Sequence, residues 1–310
     1  MCMKHLPVML EETIQQLLIN REGVYVDCTF GRGGHSSAIL ESLGTGGKLL
    51  ALDRDRQAIE STEAKSLLND HRFILEHSPF SQLLSVAEQL NWIEHIDGIL
   101  IDLGVSSPQL DDAQRGFSFL HDGPLDMRMD KSTGISAAQW LDDVAEQDLI
   151  KILFEFGEER FARRIAKAIV EQRKEQPITT TRQLAMLIEK SVPFREKHKH
   201  PATRSFQAIR IAINHELDEL TTVLQDAVTV LKPGGRLVVI SFHSLEDRIV
   251  KRFIRNESRP KQNIGKLPIK EVDIDKGRLK RIGKAFRASQ LEVASNIRSR
   301  SAILRVAEKR

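Results

Sequence analysis

The stretch Val24–Ser36, VYVDCTFGRGGHS, constrains this chain more than any other. A short apolar strand closes on Asp27. A turn bearing Gly31, Gly33 and Gly34 follows at once, and a helix is expected to start near His35. Strand, acid, glycine turn and helix, in that order, is how an open α/β sheet builds a nucleotide-type site at the carboxyl end of its first strand. The spacing departs from the dinucleotide fingerprint G-x-G-x-x-G, which needs glycine where Ser36 stands. The turn therefore suits a ligand with no pyrophosphate to cradle.

Four further apolar runs read as buried parallel strands: Lys48–Asp53, Arg72–Glu76, Gly98–Gly104 and Arg236–Phe242. Helical patterns separate the early ones, at Ser36–Ser42, Arg56–Leu68 and Ser81–Leu90. The alternation predicts a doubly wound, Rossmann-like α/β sheet. From Val105 to about residue 199 the strand signal stops. Helical spacing takes over at Ala137–Trp140, Glu146–Phe156, Glu158–Arg173 and Thr181–Ser191. The expected organisation is a sheet domain made of residues 1–108 and 205–310, interrupted by an inserted helical domain at 109–204. Phe206–Leu231 reads as one long helix, Ser301–Ala307 as a last antiparallel strand, and 257–290 as a mobile basic loop.

The formal net charge of +3 hides a segregation. Lys232–Arg310 holds 21 Lys and Arg against 8 Asp and Glu, a net of +13, whereas residues 1–231 carry a net of −10. A basic final quarter on an acidic body points to a polyanionic partner, nucleic acid before others. Two cysteines, Cys2 and Cys28, make no disulfide framework and suit a reducing cytoplasm. No signal-peptide pattern and no apolar run long enough to span a bilayer is found, so no membrane role is expected.

The candidate cofactor residues fall at strand ends. Asp53 ends the second strand, 22 residues after Gly31, where an acid accepts hydrogen bonds from both ribose hydroxyls of a nucleoside. Asp102 ends the fourth strand and faces either an adenine edge or a cationic tail. Phe80 offers an apolar face either to a ring or to the core. The backbone at Gly33 and Gly34 approaches the remainder of the ligand, with His35 as a contact. S-adenosylmethionine satisfies this set, and its activated sulfonium requires no metal. No Cys/His spacing resembles a zinc site.

The substrate is expected beside Asp102–Leu110, DLGVSSPQL. An aromatic exocyclic amine is a weak nucleophile because its lone pair is delocalised into the ring. Acceptors for its hydrogens, here Asp102, Ser106 and Ser107, return density to nitrogen and fix the angle of attack. The competing reading of this segment is a plain turn into the insertion. Gly116–Phe119 and Gly123–Met129 either stack a base or pack against the helices. His243 either touches substrate or caps the next helix. His198, Lys199, His200, Arg204 and Arg210 are candidates for phosphate contacts.

Seven blocks, DCTFGRGGHS, LALDRD, DGILIDLGVSSPQLDDAQRGFSF, DGPLDMRMD, FGEERFARRIAKAI, HPATRSFQAIRIAINHEL and SFHSLEDRIVKRF, closely resemble the bacterial ribosomal RNA small subunit methyltransferase H family. The resemblance runs from about His5 to Arg305. It implies a cytoplasmic, S-adenosylmethionine-dependent enzyme with a methyltransferase sheet and an inserted helical domain, often dimeric. It also implies methylation of the N4 amine of one cytidine in 16S rRNA, at the decoding centre and within the small ribosomal subunit. Cofactor contacts carry over onto Gly33, Gly34, His35, Asp53, Phe80, Asp102 and Gln109. The catalytic assignment of Asp102, Ser106 and Ser107 rests on placement alone. The rival readings are a DNA or other RNA amino-methyltransferase, a nicotinamide-dependent oxidoreductase and a non-catalytic RNA-binding assembly factor.

Overall fold

A computed structural model describes residues 7–193, 200–259 and 276–310. The chain divides into two compact units, Met1–Gly104 with Asp218–Arg310, and Val105–Leu217.

The first unit is built on a seven-stranded sheet of β1 (Val24–Asp27), β2 (Lys48–Asp53), β3 (Phe73–His77), β4 (Ile96–Asp102), β5 (Leu231–Ser241), β6 (Leu279–Arg287) and β7 (Ile303–Lys309). Their order is β3-β2-β1-β4-β5-β7-β6. β1–β5 pair in parallel, whereas β7 runs antiparallel to both β5 and β6. The order reverses between β1 and β4, and this reversal is where open α/β sheets bind ligands beyond their strand ends. β1, β2 and β4 read as unbroken apolar runs because helices cover both faces of a parallel sheet. Helices α1 (Leu10–Leu17), α2 (Gly34–Ser42), α3 (Arg56–Ile59), α4 (Thr62–Leu67) and α5 (Leu83–Gln89) connect its first half. The run expected as one helix over Arg56–Leu68 is two, because Ser61 adopts an extended conformation and caps α4 by accepting from the Ala64 N–H at 3.1 Å.

Among the described residues, the second unit is helix and loop apart from one isolated bridge between Pro124 and Thr180. It comprises α6 (Ser107–Asp111), α7 (Ala137–Asp143), α8 (Glu146–Gly157), α9 (Ala162–Glu175), α10 (Thr181–Ser191) and α11 (Ala202–Asn214). Its core gathers Leu149, Leu153, Ile165, Ile169, Leu184 and Ile188 at helical spacing. The unit extends beyond the expected 109–204 at both ends. Thr180 caps α10 as the threonine run suggested, with Gln183 completing a capping box.

α12 (Glu216–Val230) returns the chain to the sheet, followed by α13 (Ser244–Glu257) after β5 and α14 (Gln290–Ser295) before β7. The long helix expected over Phe206–Leu231 is broken at His215, whose φ of 52° is left-handed and ends α11. The expected basic loop at 257–290 is corrected as well. Its portion at 260–275 lies outside the described residues, but Leu279–Arg287 is β6, hydrogen-bonded to β7 alone. Alternation sends Val26, Leu50, Ile99 and Leu237 to one face of the sheet, with α12 and α13. Tyr25, Leu49, Leu100 and Val238 go to the other, with α2. Each fully buried Leu or Ile of these layers contributes about 1.5–3 kcal/mol relative to exposure.

Candidate active site

Register places three strand-end acids on one rim. Asp27 pairs with Ala51 of β2 and with Leu100 of β4, so Asp53 and Asp102 each stand two residues beyond it on the flanking strands. Thr29 ties the rim together. Its Oγ donates to Asp27 Oδ1 at 3.3 Å and accepts from the Asp102 N–H at 2.8 Å. Asp27 is fully buried and also accepts from the Thr29 N–H at 3.0 Å and the Ser36 hydroxyl at 2.7 Å. Thr29 and Ser36 were not singled out in the sequence, although an acid followed two residues later by threonine is the available signal.

The glycine turn brings backbone to the same rim. Gly31 (φ 56°) donates its N–H to Asp53 Oδ2 at 2.7 Å. Gly33 has φ 70°, and a Cβ there would lie 2.9 Å from the Phe30 ring. A Cβ on Gly34 would lie 2.4 Å from Pro7 Cγ. Bare backbone is therefore a packing requirement at both positions.

The carboxyl groups on the rim are not at ease. Burial, helped by the charges of Asp55 and Asp27 and opposed by hydrogen bonds from the Asp55 and Gly31 N–H groups, raises Asp53 to about 6. Burial pushes Asp102 well above the usual carboxylate range, reinforced by Asp27 and Glu246. His35 is buried, and burial lowers its imidazole from the ordinary value against the pull of Asp27 and the Val8 carbonyl. Its Nε2 lies 3.1 Å from that carbonyl, which can only accept, so Nε2 carries the hydrogen. Nδ1 then lies 3.5 Å from Asp102 Oδ2. Asp102 Oδ1 is buried with no hydrogen-bond partner among the described residues. A buried unsatisfied acceptor at a strand end is an opening for a ligand donor or cation.

The other candidates distribute as follows. Phe80 opens a short 3₁₀ turn and is partly buried against the sheet core, so it serves packing whatever else it does. His243 takes the capping alternative. It is the N-cap of α13, with its Nδ1 3.5 Å from the Glu246 N–H. Ser106, Ser107 and Gln109 belong to the helical unit. Ser106 is the N-cap of α6, and its N–H donates to Gln109 Oε1 at 2.9 Å within a capping box. Ser107 and Gln109 are both buried. Phe117, Leu125, Met127 and Met129 are core residues of that unit, which favours packing over base stacking for them. Phe119 packs edge-on against Phe206 at 4.8 Å and beside His200 at 4.6 Å. Arg210 makes two 2.8 Å bonds to Glu216, an ion pair rather than an open phosphate contact. Arg204 Nη1 lies 3.4 Å from the Glu158 carbonyl. His198 and Lys199 lie outside the described residues. No group of three or more His, Cys, Asp or Glu fit to hold a metal occurs among the described residues.

The chain is 56% identical over 307 residues to the ribosomal RNA small subunit methyltransferase H of Alteromonas mediterranea, covering 99% of this chain and 97% of that one. It is 55% identical to the protein of the same name from Hydrogenovibrio crunogenus, covering 98% and 96%. Identity to the one from Azoarcus sp. is 54%, covering 99% and 97%. The MraW methylase family model matches residues 2–310. With the match running nearly end to end, the chain belongs to the MraW methylase family.

Proposed function

We propose that this protein transfers the methyl group of S-adenosylmethionine to the N4 amine of one cytidine in the decoding centre of 16S rRNA, met within the small ribosomal subunit. The observation that carries the cofactor half is the carboxyl rim. Asp27, Asp53 and Asp102 converge at the point where the strand order reverses, with Asp102 Oδ1 left unfilled. Like charges gathered in a desolvated site favour a cationic ligand and repel a pyrophosphate. That disfavours a nicotinamide cofactor. The names carried by the relatives support the rRNA half.

S-adenosylmethionine, when bound, supplies a methyl group already activated on a sulfonium. The chain's own residues then have distinct tasks. Each Asp53 oxygen accepts one backbone N–H and keeps a lone pair for a ribose hydroxyl. Gly33 and Gly34 bring backbone to the ligand, His35 and Phe80 border it, and Asp102 offers Oδ1. For the amine, acceptors rather than a strong base suffice, because the proton leaves after nitrogen has gained the methyl. Asp102 is the first choice on geometry. Ser106 and Ser107 stay in the proposal for the amine, and Gln109 for the cofactor, on sequence alone. Holding the amine in line contributes roughly 7–11 kcal/mol in favourable systems. The helical unit is the proposed substrate-recognition domain.

The test is calorimetric titration of the folded protein with S-adenosylmethionine. The wild type binds, and Asp53→Ala loses about a hundredfold or more in affinity. Two hydrogen bonds to a charged acceptor, at about 1.5–3 kcal/mol each, require that loss. No wild-type binding, or an unchanged Asp53→Ala, overturns the cofactor assignment. Parallel incubation with 16S rRNA, small subunits and duplex DNA separates the rRNA reading from a DNA amino-methyltransferase, which would label the duplex.

A further inference from the structure

α13 carries a stripe of cations on one face. Arg248, Lys251, Arg252 and Arg255 are all exposed and stand three or four residues apart, on neighbouring turns of one side. The opposite side, with Val250 and Ile254, is sealed into the sheet core. The acids of the helix are engaged elsewhere. Glu246 is buried and accepts from the Phe242 N–H at 2.8 Å. Asp247 is held by Arg305 at 2.7 Å, and Glu257 by Arg278 at 2.7 Å. β6 packs beside α13, and its exposed Arg281 shares the strand face of Leu279, which is buried in the same core as Val250 and Ile254. α13 starts directly after β5, so the stripe leads away from the carboxyl rim that holds Asp102.

We propose that this face, Arg248, Lys251, Arg252 and Arg255 of α13 with Arg281 of β6, is a docking surface for the phosphate backbone of the substrate RNA. The inference rests on the rRNA reading above and adds where the RNA is gripped. A row about 10 Å long from first to last Cα, cationic throughout and exposed on one helix face, matches a backbone contact. Such contacts position nucleic acid without specifying sequence. The face supplies affinity and orientation, while the choice of base is made elsewhere.

The test uses the full chain with Arg248, Lys251, Arg252 and Arg255 all changed to Gln. Binding to deproteinised 16S rRNA and to small subunits is measured across a salt series. S-adenosylmethionine affinity is the control for an intact site. The variant should bind rRNA at least tenfold more weakly at physiological salt. The slope of log affinity against log salt should fall by about 0.7–0.9 for each phosphate no longer neutralised, with cofactor affinity unchanged. Arg281→Gln alone should give a smaller loss of the same kind. Unchanged affinity and slope overturn the inference. So does a variant that loses subunits but binds deproteinised rRNA normally, since the face would then meet a ribosomal protein. Failure of the wild type to methylate any rRNA is a different result and overturns the rRNA reading itself.

Discussion

At the scale of single residues, the site is defined by carboxyl groups held against their preference. Asp53 titrates near 6, and the ribose contacts proposed for it need the ionised form. S-adenosylmethionine affinity should therefore fall more steeply with decreasing pH below pH 6 than above it, until the complex itself protonates. Calorimetric titration between pH 5 and 8 checks this, and a pH-independent affinity contradicts it. Asp102 makes a second prediction. Its carboxyl is raised in the free protein and a bound cation lowers it, so binding should release a proton wherever the free carboxyl is protonated. Titrations in buffers of different ionisation enthalpy measure that release. It should shrink in Asp102→Asn, and it should be smaller for S-adenosylhomocysteine, which lacks the sulfonium. Equal release in wild type and Asp102→Asn would assign the proton elsewhere.

At the scale of elements, what was legible followed from burial. The second strand, Lys48–Asp53, and the helix Thr181–Ser191 fell where the sequence placed them, since an unbroken apolar run and a threonine cap are strong local signals. Three features were hidden, each for a physical reason. β6 has only Leu279 fully buried and presents Lys280, Arg281, Lys284 and Arg287 to solvent, so it reads as a charged loop. The break between α11 and α12 depends on one non-glycine residue in a left-handed conformation, which no propensity announces. The Asp102–His35 approach joins residues 67 positions apart and depends on sheet order. The break yields a prediction. His215 is exposed at φ 52°, so His215→Gly should raise unfolding stability by about 0.5–1 kcal/mol, the relief of left-handed strain less the added freedom of the unfolded chain. Urea unfolding reads this directly. A destabilised variant would mean that the histidine side chain holds the break.

At the scale of the whole molecule, charge and architecture divide the work. The acidic portion, residues 1–231, contributes β1, β2 and β4 with their rim of carboxyl groups, which suits a small cation. The basic final quarter contributes α13 and β6, which suit a polyanion. The placement of Asp27, Asp53 and the glycine turn on one rim was legible because it is local to strand ends. The roles of Ser106, Ser107 and Gln109 were not, because capping α6 explains the Ser106 and Gln109 contacts without any ligand. The most direct measurement is to incubate the protein with unmethylated small ribosomal subunits and methyl-labelled S-adenosylmethionine, digest the rRNA and identify the labelled nucleoside. The account predicts label in N4-methylcytidine at a single 16S position. Label on another atom or base, or none in rRNA, would contradict it.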